Sequence, residues 1–232
     1  MKLPKRIVDY FDSQALRDAF VNEELRRLPD QTKILDAGCG NQRYRKLCNR
    51  LDYYAQDFAG YKQDQSEGFT DAAGGASGYK YGELDFVGDI WSIDVEGESF
   101  DAILCTEVFE HIPYPVETVK EFSRLLKPGG KLILTAPSNC LRHMDPYYYY
   151  SGFSNHWFSE ILSKHGFDVE LLEQIGDYYK FLAIEVGRTG WHHGLLAKLI
   201  LAPAFLYYFF KIPTVKSRNT LCLGYHIVAR KK

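Results

Sequence analysis

Short apolar runs recur along the chain, each closed off by glycine, proline or charge. Lys33–Ala37, Tyr53–Gln56, Ala102–Cys105 and Lys131–Ala136 are the clearest. Runs this short, apolar at nearly every position, are expected of strands buried on both faces of a parallel sheet. Between them the period changes. Residues 13–28 place Leu16, Ala19, Phe20, Glu23, Glu24 and Arg27 at helical spacing behind Ser13, which predicts a capped amphipathic helix. Further helices are expected at Arg43–Arg50 and Val116–Leu126. Alternation of this kind argues for βαβ units and an α/β, doubly wound sheet.

Two stretches break the pattern. Residues 60–82, "GYKQDQSEGFTDAAGGASGYKYG", are rich in Gly, Ser, Asp and Gln and predict a long mobile loop. Residues 187–220 insert an apolar, helix-like segment before the last strand, "LCLGYHIVAR". Its centre, "LLAKLILAPAFLYYFF" (195–210), is too apolar all round for an exposed amphipathic helix. Lys198 and Pro203 interrupt it, and it falls short of the roughly 20 residues that span a bilayer. It is expected to pack over the sheet edge, to form a homodimer contact, or to make a peripheral membrane contact, with burial over the edge or in a dimer ranked first.

Composition narrows the picture without changing it. With 232 residues, 46% hydrophobic and 25% charged, the chain suits a single globular domain, 1–232, with no internal repeat. A net charge of −2 gives no reason to expect a nucleic-acid partner. The five cysteines form no CxxC pair, which suggests reduced thiols in a cytoplasmic protein, and "MKLPKRIVDYFDSQ" carries no apolar run of signal-peptide length.

The chemistry starts at "ILDAGCGNQRYRKL" (34–47). At a strand-to-helix junction, paired glycines permit a sharp turn and close approach of a ligand. The pattern lacks the third glycine of a pyrophosphate-binding GxGxxG turn, and Asp36 just before it would repel phosphate. A positively charged nucleoside without phosphate suits both features. "LDAGCG" resembles the first motif of the class I S-adenosylmethionine-dependent methyltransferases, and four further segments follow in that family's order: "YYAQDF", "VGDIWSID", "SFDAILCTEVFEHI" and "EFSRLLKPGGKLILTAP". The resemblance covers 33–137 closely and the strands near 167–175 and 221–230 more loosely. It implies a Rossmann-like, seven-stranded, mostly parallel sheet with an antiparallel last strand. It also implies S-adenosyl-L-methionine as cofactor, held by Asp36, Gly38 and Gly40, by Asp57 on the ribose, by Asp89 and Ile90 beside the adenine, and by Glu107. Asp85 competes with Asp89 for the adenine. Cys39 reads as a small buried filler.

In "TEVFEHI", Glu107, Glu110 and His111 have i, i+3, i+4 spacing and would share a face on a helical turn. Three readings stay open: Glu107 facing the cofactor with local pairing of the other two, His111 as a general base, or ExxEH as a divalent-metal site. The segment 139–158, "NCLRHMDPYYYYSGFSNHWF", is expected to build the acceptor pocket, lined by His143, Tyr150 and His156. The function expected is methyl transfer to a small-molecule or glycan-type acceptor. The competing expectation is a non-catalytic methyltransferase-like binding or assembly domain.

Overall fold

The computed structural model describes residues 13–61 and 80–232. Most of the predicted loop at 60–82 lies outside them. Seven strands form one sheet: β1 Lys33–Ala37, β2 Asp52–Asp57, β3 Phe86–Val87, β4 Phe100–Thr106, β5 Leu126–Pro137, β6 Phe167–Ile175 and β7 Gly224–Lys231. Their order is β3-β2-β1-β4-β5-β7-β6. Only β7 runs antiparallel to its neighbours.

The central strands are apolar throughout because both faces are covered. Leu35, Ala37, Ile103, Cys105, Leu132 and Leu134 enter one core, while Ile34, Ala102, Leu104 and Ile133 alternate into the other. Helices α2 (Pro115–Leu125) and α3 (Asn155–Lys164) cover the larger core. Helix α2 starts on Pro115, where a missing N–H costs nothing, and buries Val119, Phe122 and Leu125 on one face. The opposite core is covered by α1 (Ser13–Arg27) and the connection between β1 and β2.

The first helix departs from expectation. Its buried stripe is Val21, Glu24 and Leu25, and Leu16 stays exposed. Val21 and Leu25 pack into the core against the sheet, and buried Glu24 adds an ion pair to Lys131 of β5 at 2.7 Å. The helix expected at Arg43–Arg50 is only a 3₁₀ turn, Arg45–Leu47. The segment is held by its ends instead. Tyr44 and Cys48 sink into the core, and the Arg50 guanidinium donates to the carbonyls of Leu25, Arg26 and Leu28. Those are the orphan acceptors at the end of α1, which a cation satisfies.

Between β6 and β7 the chain makes a helical hairpin, α4 (Tyr178–His192) against α5 (Gly194–Phe209), and returns through the short α6 (Val215–Thr220). Helix α5 buries no residue completely. Burial over the sheet edge is therefore not what happens: α5 packs on α4, and its other side faces outward. No helix among the described residues is long and apolar enough to cross a membrane. The hairpin is pinned at its root. Asp177 accepts from the Lys180 amide at 2.9 Å, capping α4, and from the buried Ser217 hydroxyl of α6 at 2.6 Å. Asp177→Ala should therefore cost about 2–3 kcal/mol in denaturant unfolding and speed amide exchange at 178–182. Unchanged exchange there would show that the hairpin root is held by other contacts.

Candidate active site

The strand order reverses between β1 and β4, and in open α/β sheets that is where a crevice opens beyond the carboxyl ends of the strands. A cleft of about 700 Å³ lies there. Its walls come from the turn after β1, the ends of β2 and β3, the turn after β4 and the loop after β5. Gln14 and Arg17 of α1 close one side, which sequence reasoning missed because nothing in a helical spacing marks a cleft wall.

The β1 turn is built by positive φ angles at Gly38 and Gly40. Its amides are already engaged. Gly38 and Cys39 donate to the Gln56 carbonyl at 2.9 and 3.0 Å, and Gly40 donates to the Asp57 carboxylate at 2.8 Å. A Cβ on Gly38 would stand 2.6 Å from a Val108 methyl, so this glycine is required by packing beneath Val108 as well as by its φ. Asp36 is buried and accepts from the Tyr53 hydroxyl at 2.6 Å. Burial pushes its carboxyl up to about 7; the Tyr53 hydrogen bond lowers it in part, and the Asp57 charge raises it. Burial raises Asp57 as well. Cys39 is buried and its thiol is pushed far above the ordinary range, as befits an inert filler.

Of the two aspartates competing after β2, Asp85 is spent on the Ala55 amide at 2.8 Å. Asp89 and Ile90 line the cleft.

After β4 the three residues of ExxEH do not share one face. Glu107 sits at φ 52°, outside the 3₁₀ turn Phe109–His111. Its carboxylate accepts from Thr135 at 2.8 Å and lies 3.5 Å from Arg17. Glu110 is buried, with one carboxylate oxygen unpartnered among the described residues. Burial pushes its carboxyl up to about 8, and the Glu107 charge adds to that. Beside it, 3.7 Å away, is His111 Nε2. The other nitrogen of His111 bonds the Tyr147 carbonyl at 2.7 Å, which fixes the ring and leaves Nε2 with its lone pair. Burial lowers His111 to about 4, with His143 contributing, so the ring is neutral at pH 7. His143 meets it edge-on at 4.6 Å between centroids. Donor atoms of Glu110, His111 and His143 all lie within 4.8 Å of one another.

The loop after β5 is laid over this turn by two amides, Tyr149 and Tyr150, both donating to the Glu110 carbonyl. Two of the residues expected in the pocket lie elsewhere. Tyr150 turns into the core against Phe153 and donates to the Pro113 carbonyl, because tyrosines 149 and 150 on an extended loop must point to opposite sides. His156 sits on the solvent side of α3. His143 lines the cleft, and Tyr147, Tyr149 and Met144 line it with no prior signal beyond the tyrosine run.

The strand order with its single antiparallel strand is Rossmann-like, the fold of solved methyltransferase structures. Residues 35–134 match the family described as a methyltransferase domain. A ubiquinone biosynthesis O-methyltransferase of Coxiella burnetii is 31% identical over 103 residues, 44% of this chain and 42% of that protein, so the match spans less than half of the relative. Two solved structures share the fold. The S-adenosylmethionine-dependent methyltransferase of Mesorhizobium loti has a TM-score of 0.50 at 16% identity, covering 95% of this chain and 98% of that one. Phosphoethanolamine N-methyltransferase 2 of Haemonchus contortus, solved with S-adenosyl-L-methionine, has a TM-score of 0.51 at 17% identity, covering 93% and 52%.

The buried Asp36 makes a pH prediction. Its folded carboxyl keeps its proton up to about pH 7, whereas a free aspartate loses it near pH 4. Its contribution to stability is therefore present below about pH 4 and is lost as pH rises to 7. Asp36→Asn has no such loss. Relative to wild type it should gain a few kcal/mol, on the order of 2–4, between pH 4 and 7 and then level off. Unfolding curves at stepped pH test this, and a difference that does not vary with pH would mean that Asp36 is ionised in the folded protein.

Proposed function

We propose that this chain transfers a methyl group from S-adenosyl-L-methionine to an oxygen of a small molecule. The observation that carries the reading is the line of carboxylates across one cleft: Asp36 and Asp57 at the carboxyl ends of β1 and β2, Asp89 just past β3, and Glu107 and Glu110 just past β4. The cofactor would supply an electrophilic methyl group on a positively charged sulfur. The donor set fits such a ligand. The amides of Gly38, Cys39 and Gly40 are already spent rather than free for a phosphate, Asp57 and Asp89 offer acceptors for hydroxyl and amino groups, and Asp36 offers a carboxylate to a positive charge. The name of the Coxiella relative supports oxygen as the acceptor atom. Five free cysteines fit a reducing, cytoplasmic setting.

His111 is the group we assign to the acceptor's proton. It is neutral at pH 7 and its Nε2 lone pair is unspent, with the Glu110 carboxyl 3.7 Å away. Tyr147 holds the ring through its carbonyl, and His143, Tyr147 and Tyr149 give the acceptor its walls. Most of the rate would come from holding acceptor and methyl group in line.

The unpartnered Glu110 oxygen favours a second reading, in which Glu110, His111 and His143 hold a divalent cation that binds the acceptor oxygen. Glu107 takes no part in that set.

Two measurements test the assignment. Asp89→Ala, at an exposed side chain, should weaken S-adenosylhomocysteine binding about tenfold in calorimetry with the melting temperature unchanged. Equal affinity would remove Asp89 from the cofactor site. With a small hydroxylated acceptor that the chain methylates, His111→Ala should lower kcat about 10²–10⁴-fold while cofactor affinity holds. If activity instead follows chelator and added Mg²⁺, the cation reading replaces the base. Activity indifferent to both would eliminate each of them.

A further inference from the structure

The outward side of α5 is one continuous apolar face. At about 100° per residue, Leu195, Leu196, Leu199, Ile200, Leu206 and Phe210 fall within roughly 140° of arc, along the helix's whole length of about 24 Å. All six are exposed; Leu195 and Phe210 are 74% accessible, and Tyr207 of the same face is 58% accessible. Exposed Ile212 and Val215 continue it, and Trp191 stands at the other end. A run of this size on an isolated surface marks an interaction site.

Charge identifies the occupant. From 186 to 220 the chain carries five basic residues, Arg188, Lys198, Lys211, Lys216 and Arg218, and no aspartate or glutamate; Arg188 pairs with Glu185 at 3.2 Å, which leaves four basic residues, whereas the rest of the chain holds 23 basic against 30 acidic residues. Lys198 and Lys211 lie over the rings of Trp191 and Tyr207, at 4.6 and 4.4 Å, which places cationic heads beside amphipathic aromatic rings. An apolar face edged by lysine and aromatic side chains is the pattern of a helix lying in the interface of an anionic membrane. A second copy of this chain fits less well, because self-pairing would set two acid-free basic rims against each other. We propose that α5 docks flat on an anionic lipid bilayer, its apolar face below the headgroups and its basic rim among them. The root of the hairpin at Ile175 and Gly224 is at the same end of the sheet as Pro137, the end at which the cleft opens, so docking would bring the cleft end of the domain toward the membrane. The inference does not depend on which acceptor the cleft takes.

Flotation of the full chain with phosphatidylcholine–phosphatidylglycerol vesicles tests it. Wild type should float, and float less with phosphatidylcholine alone. Leu199→Glu with Ile200→Glu should abolish flotation with unchanged circular dichroism, since both side chains are exposed. Lys216→Gln should weaken partitioning about fivefold, and only on the anionic vesicles. Independently of any variant, amide exchange over 195–210 should slow when anionic vesicles are added. Wild type that stays unbound, or a double variant that floats like wild type, would overturn the proposal. So would a concentration-dependent dimer, without vesicle binding, that the double variant dissociates; the face would then belong to a second copy.

Discussion

Three consecutive amides after β1, those of Gly38, Cys39 and Gly40, are spent on the end of β2. The first two meet the Gln56 carbonyl and the third meets the Asp57 carboxylate. The rest of the cleft depends on this clamp. It draws the Asp57 carboxylate up to the turn, and it brings the backbone of Gly38 beneath Val108, so that the turn after β1 and the turn after β4 pack as one floor. It also decides what the cleft can hold. A helix N-terminus or glycine turn binds phosphate through unpaired N–H groups. Here those groups have partners, the glycine turn leads into a 3₁₀ turn rather than a helix, and carboxylates stand where a phosphate would sit. A turn of this kind elsewhere cradles an anion, and in this chain its partnered amides and carboxylates make it a poor phosphate site.

Five carboxylates in one cleft would be costly if all were ionised. The cleft answers that cost partly with protons: Asp36 and Glu110, the two most buried, titrate near neutrality because a buried charge is disfavoured and neighbouring charges add to it. Glu107 takes the other route, with the Arg17 guanidinium and the Thr135 hydroxyl beside it. A positively charged ligand offers a third. As it enters, it favours the ionised form of Asp36, so its binding and the loss of that proton are linked. The acidic turn and the proposed phosphate-free cofactor would thus suit each other for one physical reason.

Much of this was legible in the chain because the features are local. Strands β1, β4 and β5 show as apolar runs since both their faces are buried, and the acidic–Gly–x–Gly turn shows because positive φ at Gly38 and Gly40 demands glycine. What escaped depends on partners distant in sequence. Residues 43–50 have helical composition, yet Tyr44 and Cys48 are drawn into the core and Arg50 is drawn to the end of α1, so only one turn forms. Glu24 reads as a surface residue until Lys131 appears beside it. The tyrosine run announces an aromatic loop, but which tyrosine faces the cleft is fixed by the Tyr149 and Tyr150 amides on the Glu110 carbonyl. His143 joins His111 only because that loop is folded back over the β4 turn.

The hairpin was legible as apolar but not as exposed, and the topology explains why. Ile175 and Gly224 are register partners, and Leu223 donates to the Ile175 carbonyl at 2.7 Å, so the chain returns to the sheet at the point where it left. The excursion from 176 to 223 adds no strand, and neither core counts a residue of α4 or α5 among its members. Closing a long loop costs little more than closing a short one, so the sheet tolerates the insertion without depending on it. A segment under no demand from the core would ordinarily be polar on its outward side. The outward side of α5 is apolar instead, and the root is fixed by a buried aspartate that caps one helix and bonds another. Its composition therefore answers to something outside the domain, and its rigid root sets the angle at which the domain meets it.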